Sequence, residues 1–131
     1  MLQPNKILVI RFSSLGDLIL TSPIFRELRR IFPGANLNLL TSVGFGDVLD
    51  NNPHLDRIIK HPRKENFEQL NQLIVELQAE EFDLIYDAHR SMRSRWIVSR
   101  LTAFGMKRKP AVWKINKRTL NRKLLIPLRW N

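Results

Sequence analysis

Two short segments of the 131-residue sequence combine groups that bind phosphate or sugar with groups that move a proton. The first is Ser13-Ser14-Leu15-Gly16-Asp17, which places two hydroxyls, a glycine and a carboxylate together. Small residues and backbone N–H groups at a helix N-terminus can closely face a phosphate or a sugar. The same position favours an ionised Asp17, which suits a general base acting on a sugar hydroxyl. The alternative is that Asp17 or Ser14 merely caps the helix, which is the commoner role.

The second segment is Asp87-Ala88-His89-Arg90-Ser91-Met92-Arg93-Ser94, a carboxylate followed by an imidazole, two guanidiniums and hydroxyls. Arg90 and Arg93 are three residues apart, so one helical face could present both to a phosphate or an acidic sugar. His89 could donate a hydrogen bond or carry charge near neutral pH. The alternative for His89 is a hydrogen-bonded residue at the end of a strand. The substrate-binding candidates are Ser13, Ser14, Gly16, Asp87, His89, Arg90, Arg93 and Ser94.

Several other chemistries have no support in the sequence. It contains neither the Gly-x-x-x-x-Gly-Lys-[Ser/Thr] loop of a P-loop nucleotide site nor the glycine triplet of a dinucleotide site. There is no cysteine, and the three histidines lack metal-ligand spacing, so neither a metal site nor a bound cofactor is predicted. The absence of RNP, KH and zinc-finger patterns argues against nucleic acid as a partner.

The elements that must position these two segments alternate between strands and helices. Apolar runs predict strands at 6–12, 37–41, 57–60, 82–87 and 111–113, and helices are predicted at 18–32, 44–49, 66–81 and 91–104. Asn66 is the expected N-cap of the clearest helix, and Trp96 is expected to pack in the core beside Ile97. Such alternation predicts an α/β fold with a Rossmann-like parallel sheet and flanking helices. Ligands bind at the carboxyl ends of the strands in such sheets, which is where both polar segments fall.

The charge is strongly divided along the chain. The net charge is +10, with −3 carried by residues 1–89 and +13 by residues 90–131, which contain no acidic residue. This asymmetry indicates an anionic partner, such as a phosphorylated ligand or an anionic membrane surface. The plainer alternative is a solvated basic face. No run of about 18 apolar residues and no signal peptide is present, so a cytoplasmic protein is expected.

The segment from Lys6 to Pro23, with Ser-Ser-Leu-Gly-Asp followed by Thr-x-Pro, closely resembles the start of ADP-heptose:lipopolysaccharide heptosyltransferases. The resemblance continues in order through Pro33-Gly34-Ala35, 52–59 and 82–87, and covers about residues 1–109. It implies the N-terminal half of a GT-B glycosyltransferase, which has two Rossmann-like domains. The implied reaction is metal-independent transfer of heptose from ADP-heptose to the lipid A–Kdo inner core, with inversion at the anomeric carbon.

By this resemblance Asp17 matches the catalytic base, and Ser13, Ser14 and Gly16 line the cleft beside it. The family commonly has Gln-Gly after the strand-end Asp and a later Lys-Ser, where this chain has His89-Arg90 and Arg93-Ser94. A basic surface suits a phosphorylated glycolipid at the inner membrane, so peripheral association with that membrane is a further expectation.

The expected domain organisation follows from the same resemblance. Residues 1–113 form the acceptor-side domain, 114–131 are a basic tail continuing a truncated chain, and the C-terminal nucleotide-sugar domain is absent. Alone, such a chain is expected to turn over little or no substrate and to need a complementing C-terminal domain. The competing interpretation is a non-catalytic basic module that binds an anionic polymer or a membrane surface.

Overall fold

The computed structural model describes residues 4–12, 21–44, 49–62, 66–103 and 109–114. They form five strands and three helices. In chain order the elements are β1 (Lys6–Ile10), α1 (Ser22–Ile31), β2 (Asn36–Ser42), β3 (Arg57–His61), α2 (Phe67–Glu80), β4 (Leu84–Asp87), α3 (Met92–Leu101) and β5 (Ala111–Lys114).

The five strands make one parallel sheet in the order β3-β2-β1-β4-β5. In β1, Ile7 and Val9 face one side and Leu8 and Ile10 face the other, so both faces of the sheet are covered. Helix α1 packs on the first face, whereas α2 and α3 pack on the second. The predicted Rossmann-like parallel sheet with flanking helices is therefore confirmed.

Local sequence explains where the helices begin and end. Pro23 lies in the first turn of α1, where a missing N–H costs nothing, and the helix ends before Pro33-Gly34. Asn66 caps α2 as predicted, because its side chain accepts a hydrogen bond from the Gln69 N–H in a reciprocal capping box. The predicted helix at 44–49 lies largely outside the described residues.

One prediction about packing is wrong. Trp96 was expected in the core, yet it is 40% exposed on the outer side of α3. The inner side of that helix is occupied by Ser94, Ile97 and Leu101. Trp96 projects from a different side of the helix than these three residues. It therefore does not join Ile97 in the core, although the two are adjacent in sequence.

Candidate functional site at the carboxyl edge of the sheet

The two polar segments follow the two strands at the centre of the sheet. β1 and β4 are adjacent, and their last residues, Ile10 and Asp87, are partners in the register. After β1 the next helix, α1, lies on one face, and after β4 the next helix, α3, lies on the other. This is the topological switch point, and in open α/β sheets ligands bind in a crevice beyond the strand ends at that point. We use the word crevice for this position, which the described residues bound with Arg11, Phe12 and the turn between β4 and α3.

Four of the predicted site residues, Ser13, Ser14, Gly16 and Asp17, lie outside the described residues. The role of Asp17 as a base therefore stays a prediction. The segment before them is described and lies directly against the β4–α3 turn.

Three hydrogen bonds join the segment after β1 to the segment after β4. The Ala88 N–H donates to the Ile10 carbonyl at 3.1 Å, and the Phe12 N–H donates to His89 Nδ1 at 3.3 Å. The Arg11 guanidinium, only 7% exposed, donates to the Ala88 carbonyl at 2.6 Å. Arg11 and Phe12, at the end of β1, are thus held to the turn after β4. His89 sits at the strand end as a hydrogen-bonded residue, and in the neutral ring Nε2 carries the proton.

Arg11 is a residue that the sequence interpretation missed as part of the site. It was included in the buried run of the first strand, but it follows the last strand residue and crosses to the neighbouring turn. The sequence does contain a sign of this role, because Arg11 is a cation within an otherwise apolar run. A buried guanidinium needs hydrogen-bond acceptors, so such a residue is expected to contact a neighbouring segment.

Asp87 organises the turn that follows it. The residue is buried, and its Oδ1 accepts hydrogen bonds from the backbone N–H groups of His89, at 3.1 Å, and Arg90, at 2.8 Å. Its Oδ2 accepts from the Ser94 hydroxyl at 3.1 Å. Ser94 is also buried and shares a reciprocal capping box with Ser91 at the start of α3. Both side chains therefore shape the turn and fix the helix start.

Arg90 does not share a helical face with Arg93, because α3 begins at Met92. Instead, Arg90 lies in the turn with a φ of 57°, in the left-handed region that favours glycine. This conformation lets its N–H reach Asp87, and it accounts physically for the glycine that the resembling family commonly has here. The Arg90 side chain is exposed at the edge of the crevice.

Arg93 lies within the first turn of α3 and stacks on Phe12. Its guanidinium carbon is 3.6 Å from the centroid of the Phe12 ring, which is a close cation–π contact. The aromatic face is a favourable surface for a guanidinium, which donates hydrogen bonds in its own plane. A planar cation held this way is well suited to a phosphate or a carboxylate.

Two of the described carboxylates with a lowered pKa, Asp56 and Glu80, lie away from this crevice. Hydrogen bonds from the Leu37 N–H and from Arg29 lower the pKa of Asp56, and hydrogen bonds from Lys6 and Arg57 lower that of Glu80. Both contact the opposite, amino edge of the sheet, where Leu37 and Lys6 begin their strands. These ion pairs therefore lie at the amino edge of the sheet, away from the β4–α3 turn.

Within the described ranges there is no group of three or more side chains with metal-ligating chemistry. Among those same residues, no helix has the length and apolarity to cross a bilayer.

No protein-family model matches the chain. Among curated proteins it is similar to lipopolysaccharide heptosyltransferase 1 of Pseudomonas aeruginosa, with 27% identity over 101 residues. That alignment covers 70% of this chain and 28% of the relative. The Escherichia coli K12 protein of the same name is 27% identical over 111 residues, covering 78% of this chain and 34% of the relative. The chain thus spans about a third of the length of these proteins.

Comparison with solved structures shows the same fold. A family 9 glycosyl transferase from Veillonella parvula superposes with a TM-score of 0.70 and 25% identity, covering 76% of this chain and 30% of that one. E. coli heptosyltransferase WaaC with ADP-2-deoxy-2-fluoro heptose gives a TM-score of 0.68 at 22% identity, and the superposition covers 91% of this chain and 39% of that one. The resemblance to the heptosyltransferase family that the sequence predicted is confirmed, as is the fold.

Proposed function

We propose that this chain is the N-terminal, acceptor-side domain of a heptosyltransferase-like glycosyltransferase. The reaction would move a heptose from ADP-heptose to the inner core of a lipopolysaccharide precursor, lipid A–Kdo. The observation that carries the proposal is the set of bonds from the end of β1 to the turn after β4, from Arg11 to Ala88 and from Phe12 to His89, beside a cation over an aromatic ring. The similarity to named heptosyltransferases supplies the sugar chemistry.

In this proposal Asp17 takes the proton of an acceptor hydroxyl as that oxygen attacks the anomeric carbon of the donor. The carbon–oxygen bond to the diphosphate breaks at the same time, ADP leaves with the electron pair, and the configuration at the carbon inverts. A general base contributes typically about 10²–10⁴-fold to such a step. By the resemblance, the nucleotide-sugar site belongs to a second, C-terminal domain.

Arg90 and Arg93 would hold the negative groups of the acceptor, which are phosphates on lipid A and carboxylates on Kdo. Arg93 is suited to this by its cation–π contact with Phe12, and Arg90 by its exposure in the turn. Asp87 and Ser94 act through the backbone of the same turn, so they are positioning residues.

Catalysis is tested by incubating the chain with ADP-heptose and Kdo₂–lipid A. The chain is assayed alone and mixed with the C-terminal half of the E. coli relative, and ADP release is measured. Transfer by the mixture should fall at least about 100-fold in Asp17→Asn. Asp50→Asn, an exposed carboxylate paired with Lys60, is the matched control and should retain the rate. Transfer that survives in Asp17→Asn would show that the base is assigned wrongly.

Acceptor binding is tested separately, by titrating the chain alone with deacylated Kdo₂–lipid A. Arg90→Gln and Arg93→Gln should each weaken binding about ten-fold, since a hydrogen bond to a charged group contributes about 1.5 kcal/mol. Arg26→Gln removes the same charge from an exposed position on α1 and should leave acceptor binding unchanged. Equal binding of polyphosphate and acceptor, with a steep salt dependence and equal losses in all three variants, would favour the non-catalytic basic module instead.

A further inference from the structure

His89 is tied to the end of β1 through one nitrogen of its ring. The Phe12 N–H donates to Nδ1 at 3.3 Å, so Nδ1 carries a lone pair and no proton. In an uncharged imidazole the proton then sits on the other nitrogen, Nε2. The Phe12 N–H therefore selects the uncharged ring and sets its tautomer.

The backbone on both sides of this hydrogen bond is anchored by other contacts. The Phe12 carbonyl accepts from the Ser42 hydroxyl at 2.8 Å. On the other side, the His89 N–H donates to the buried Asp87 carboxylate at 3.1 Å. The His89 side chain is therefore the part that moves when its bond to Phe12 is lost.

The imidazole belongs to a small group of rings and cations at the crevice. The centroids of the His89 and Phe12 rings are 6.1 Å apart, with a tilt of 50° between the planes. The Arg93 guanidinium lies over the same Phe12 ring. Because Nε2 lies across the imidazole from Nδ1, the Nε2–H is directed away from the Phe12 N–H. The half-buried ring is thus an uncharged hydrogen-bond donor beside a cation.

Three cations and one anion lie in the segments that contact His89. Among the described residues they are Arg11, Arg90, Arg93 and Asp87. The Asp87 carboxylate accepts from the backbone of the turn, and Arg11 donates to the Ala88 carbonyl. Guanidiniums keep their charge at every pH that a folded protein tolerates. A histidine, in contrast, can change its charge between pH 5 and 8.

We propose that His89 makes ligand binding at the crevice sensitive to pH. The uncharged ring, held by the Phe12 N–H, donates from Nε2 to an oxygen of the anionic ligand. A proton added at Nδ1 turns the acceptor of the Phe12 N–H into a second donor, so this bond breaks and the ring leaves its position. The regulation rests on the proposed function, because the ligand is its phosphorylated acceptor.

The sign of the effect separates this arrangement from simple attraction between charges. An imidazolium that bound the anion directly would strengthen binding as the pH falls. A ring that binds only with Nδ1 unprotonated weakens binding as the pH falls, since proton and ligand then oppose each other. Loss of one hydrogen bond to a charged group corresponds to about ten-fold in affinity.

The first part of the experiment contains no ligand. Nitrogen-15 NMR of the full chain between about pH 5 and 8 measures the protonation of both His89 ring nitrogens. At the upper end Nε2 should be protonated and Nδ1 should not. The Phe12 amide signal should then shift with the same midpoint as the ring. The opposite tautomer, or a Phe12 signal that stays constant while the ring titrates, would overturn the proposal.

The second part measures the affinity for deacylated Kdo₂–lipid A on both sides of that midpoint. His89→Gln is the conservative variant, because its amide oxygen can accept from the Phe12 N–H and its NH₂ can donate to the ligand, without titrating. The ratio of the parent's affinity to that of His89→Gln should fall about ten-fold on the acid side. Taking this ratio cancels the titration of the ligand's own phosphates, which occurs near pH 6.

The matched control is His54→Gln, in the turn before β3, where the hydrogen bonds of His54 are made by its backbone. Its affinity relative to the parent should not change with pH. A parent-to-His89→Gln ratio that rises on the acid side, or stays constant, would overturn the proposal. If the parent binds at neither pH, the acceptor site of the proposed function is refuted and the pH-sensitive binding falls with it.

Discussion

Replacing Asp87 by alanine tests whether this carboxylate organises the turn beyond β4. The substitution removes the acceptor of three hydrogen bonds, from the N–H groups of His89 and Arg90 and from the Ser94 hydroxyl. His89 is half-buried and Arg90 is exposed, so water can replace the carboxylate at their N–H groups. Each of these two lost hydrogen bonds therefore costs about 0.5–1 kcal/mol. The Ser94 hydroxyl is fully buried but keeps the Ser91 carbonyl, at 3.1 Å, as a second acceptor, so loss of its bond to Asp87 costs about 1 kcal/mol. The expected loss is about 2–3 kcal/mol in the free energy of unfolding.

Urea denaturation followed by circular dichroism measures this loss. Asp87→Asn should cost only about 1 kcal/mol, since its oxygen can still accept from both amides and its NH₂ can donate to Ser94. Asp50→Ala removes an exposed carboxylate paired with Lys60 and should cost about 0.5 kcal/mol or less. If Asp87→Ala loses no more stability than Asp50→Ala, the carboxylate does not hold the turn and the reasoning fails.

Three further predictions concern the fold around the site. Arg90→Gly should raise the free energy of unfolding by about 0.5 kcal/mol in urea titrations, because relief of the left-handed conformation outweighs the added freedom of the unfolded chain; Arg90→Ala should show no gain. Asn66→Ala should cost about 1 kcal/mol in the same measurement by removing the cap on the Gln69 N–H, and an unchanged midpoint would contradict the cap. The lowered pKa of Asp56 means that its contribution to stability is full above its usual value of 3.8 and is lost as the pH falls. Thermal melts of Asp56→Asn should therefore lose stability less steeply than the parent below about pH 4, and parallel curves would refute the assignment.

The fold could be predicted because its central strands are buried on both faces. A strand buried on both faces has a nearly continuous apolar sequence, which is easy to recognise. All five predicted strands are present, within one or two residues of their predicted bounds. β1 ends two residues earlier than predicted, although the Arg11 N–H still donates to the Leu40 carbonyl of β2 at 3.0 Å. Arg11 and Phe12, for example, belong to the apolar run but turn toward the neighbouring segment.

The site was predictable only in outline. The expected parallel sheet places the carboxyl ends of β1 and β4 side by side, as the structure has them. The Ser13–Asp17 segment lies outside the described residues, so its place in the site stays a prediction. The sequence could not show that Arg90 takes a left-handed conformation, since this depends on the buried Asp87. Nor could it show that Phe12 and Arg93, 81 positions apart, would stack. Trp96 was misplaced because periodicity gives the faces of a helix but does not say which one meets the sheet.

The most direct test of the account is an NMR titration of the isotopically labelled chain with deacylated Kdo₂–lipid A. The amide signals of Phe12, His89 and Arg90 and the guanidinium signal of Arg93 should shift together and saturate with one dissociation constant, while the amide signals of Leu37 and Asp56 at the amino edge stay unchanged. Shifts confined to the amino edge near Asp56 and Glu80, or spread evenly over all exposed cations, would contradict a ligand site at the crevice between β1 and β4.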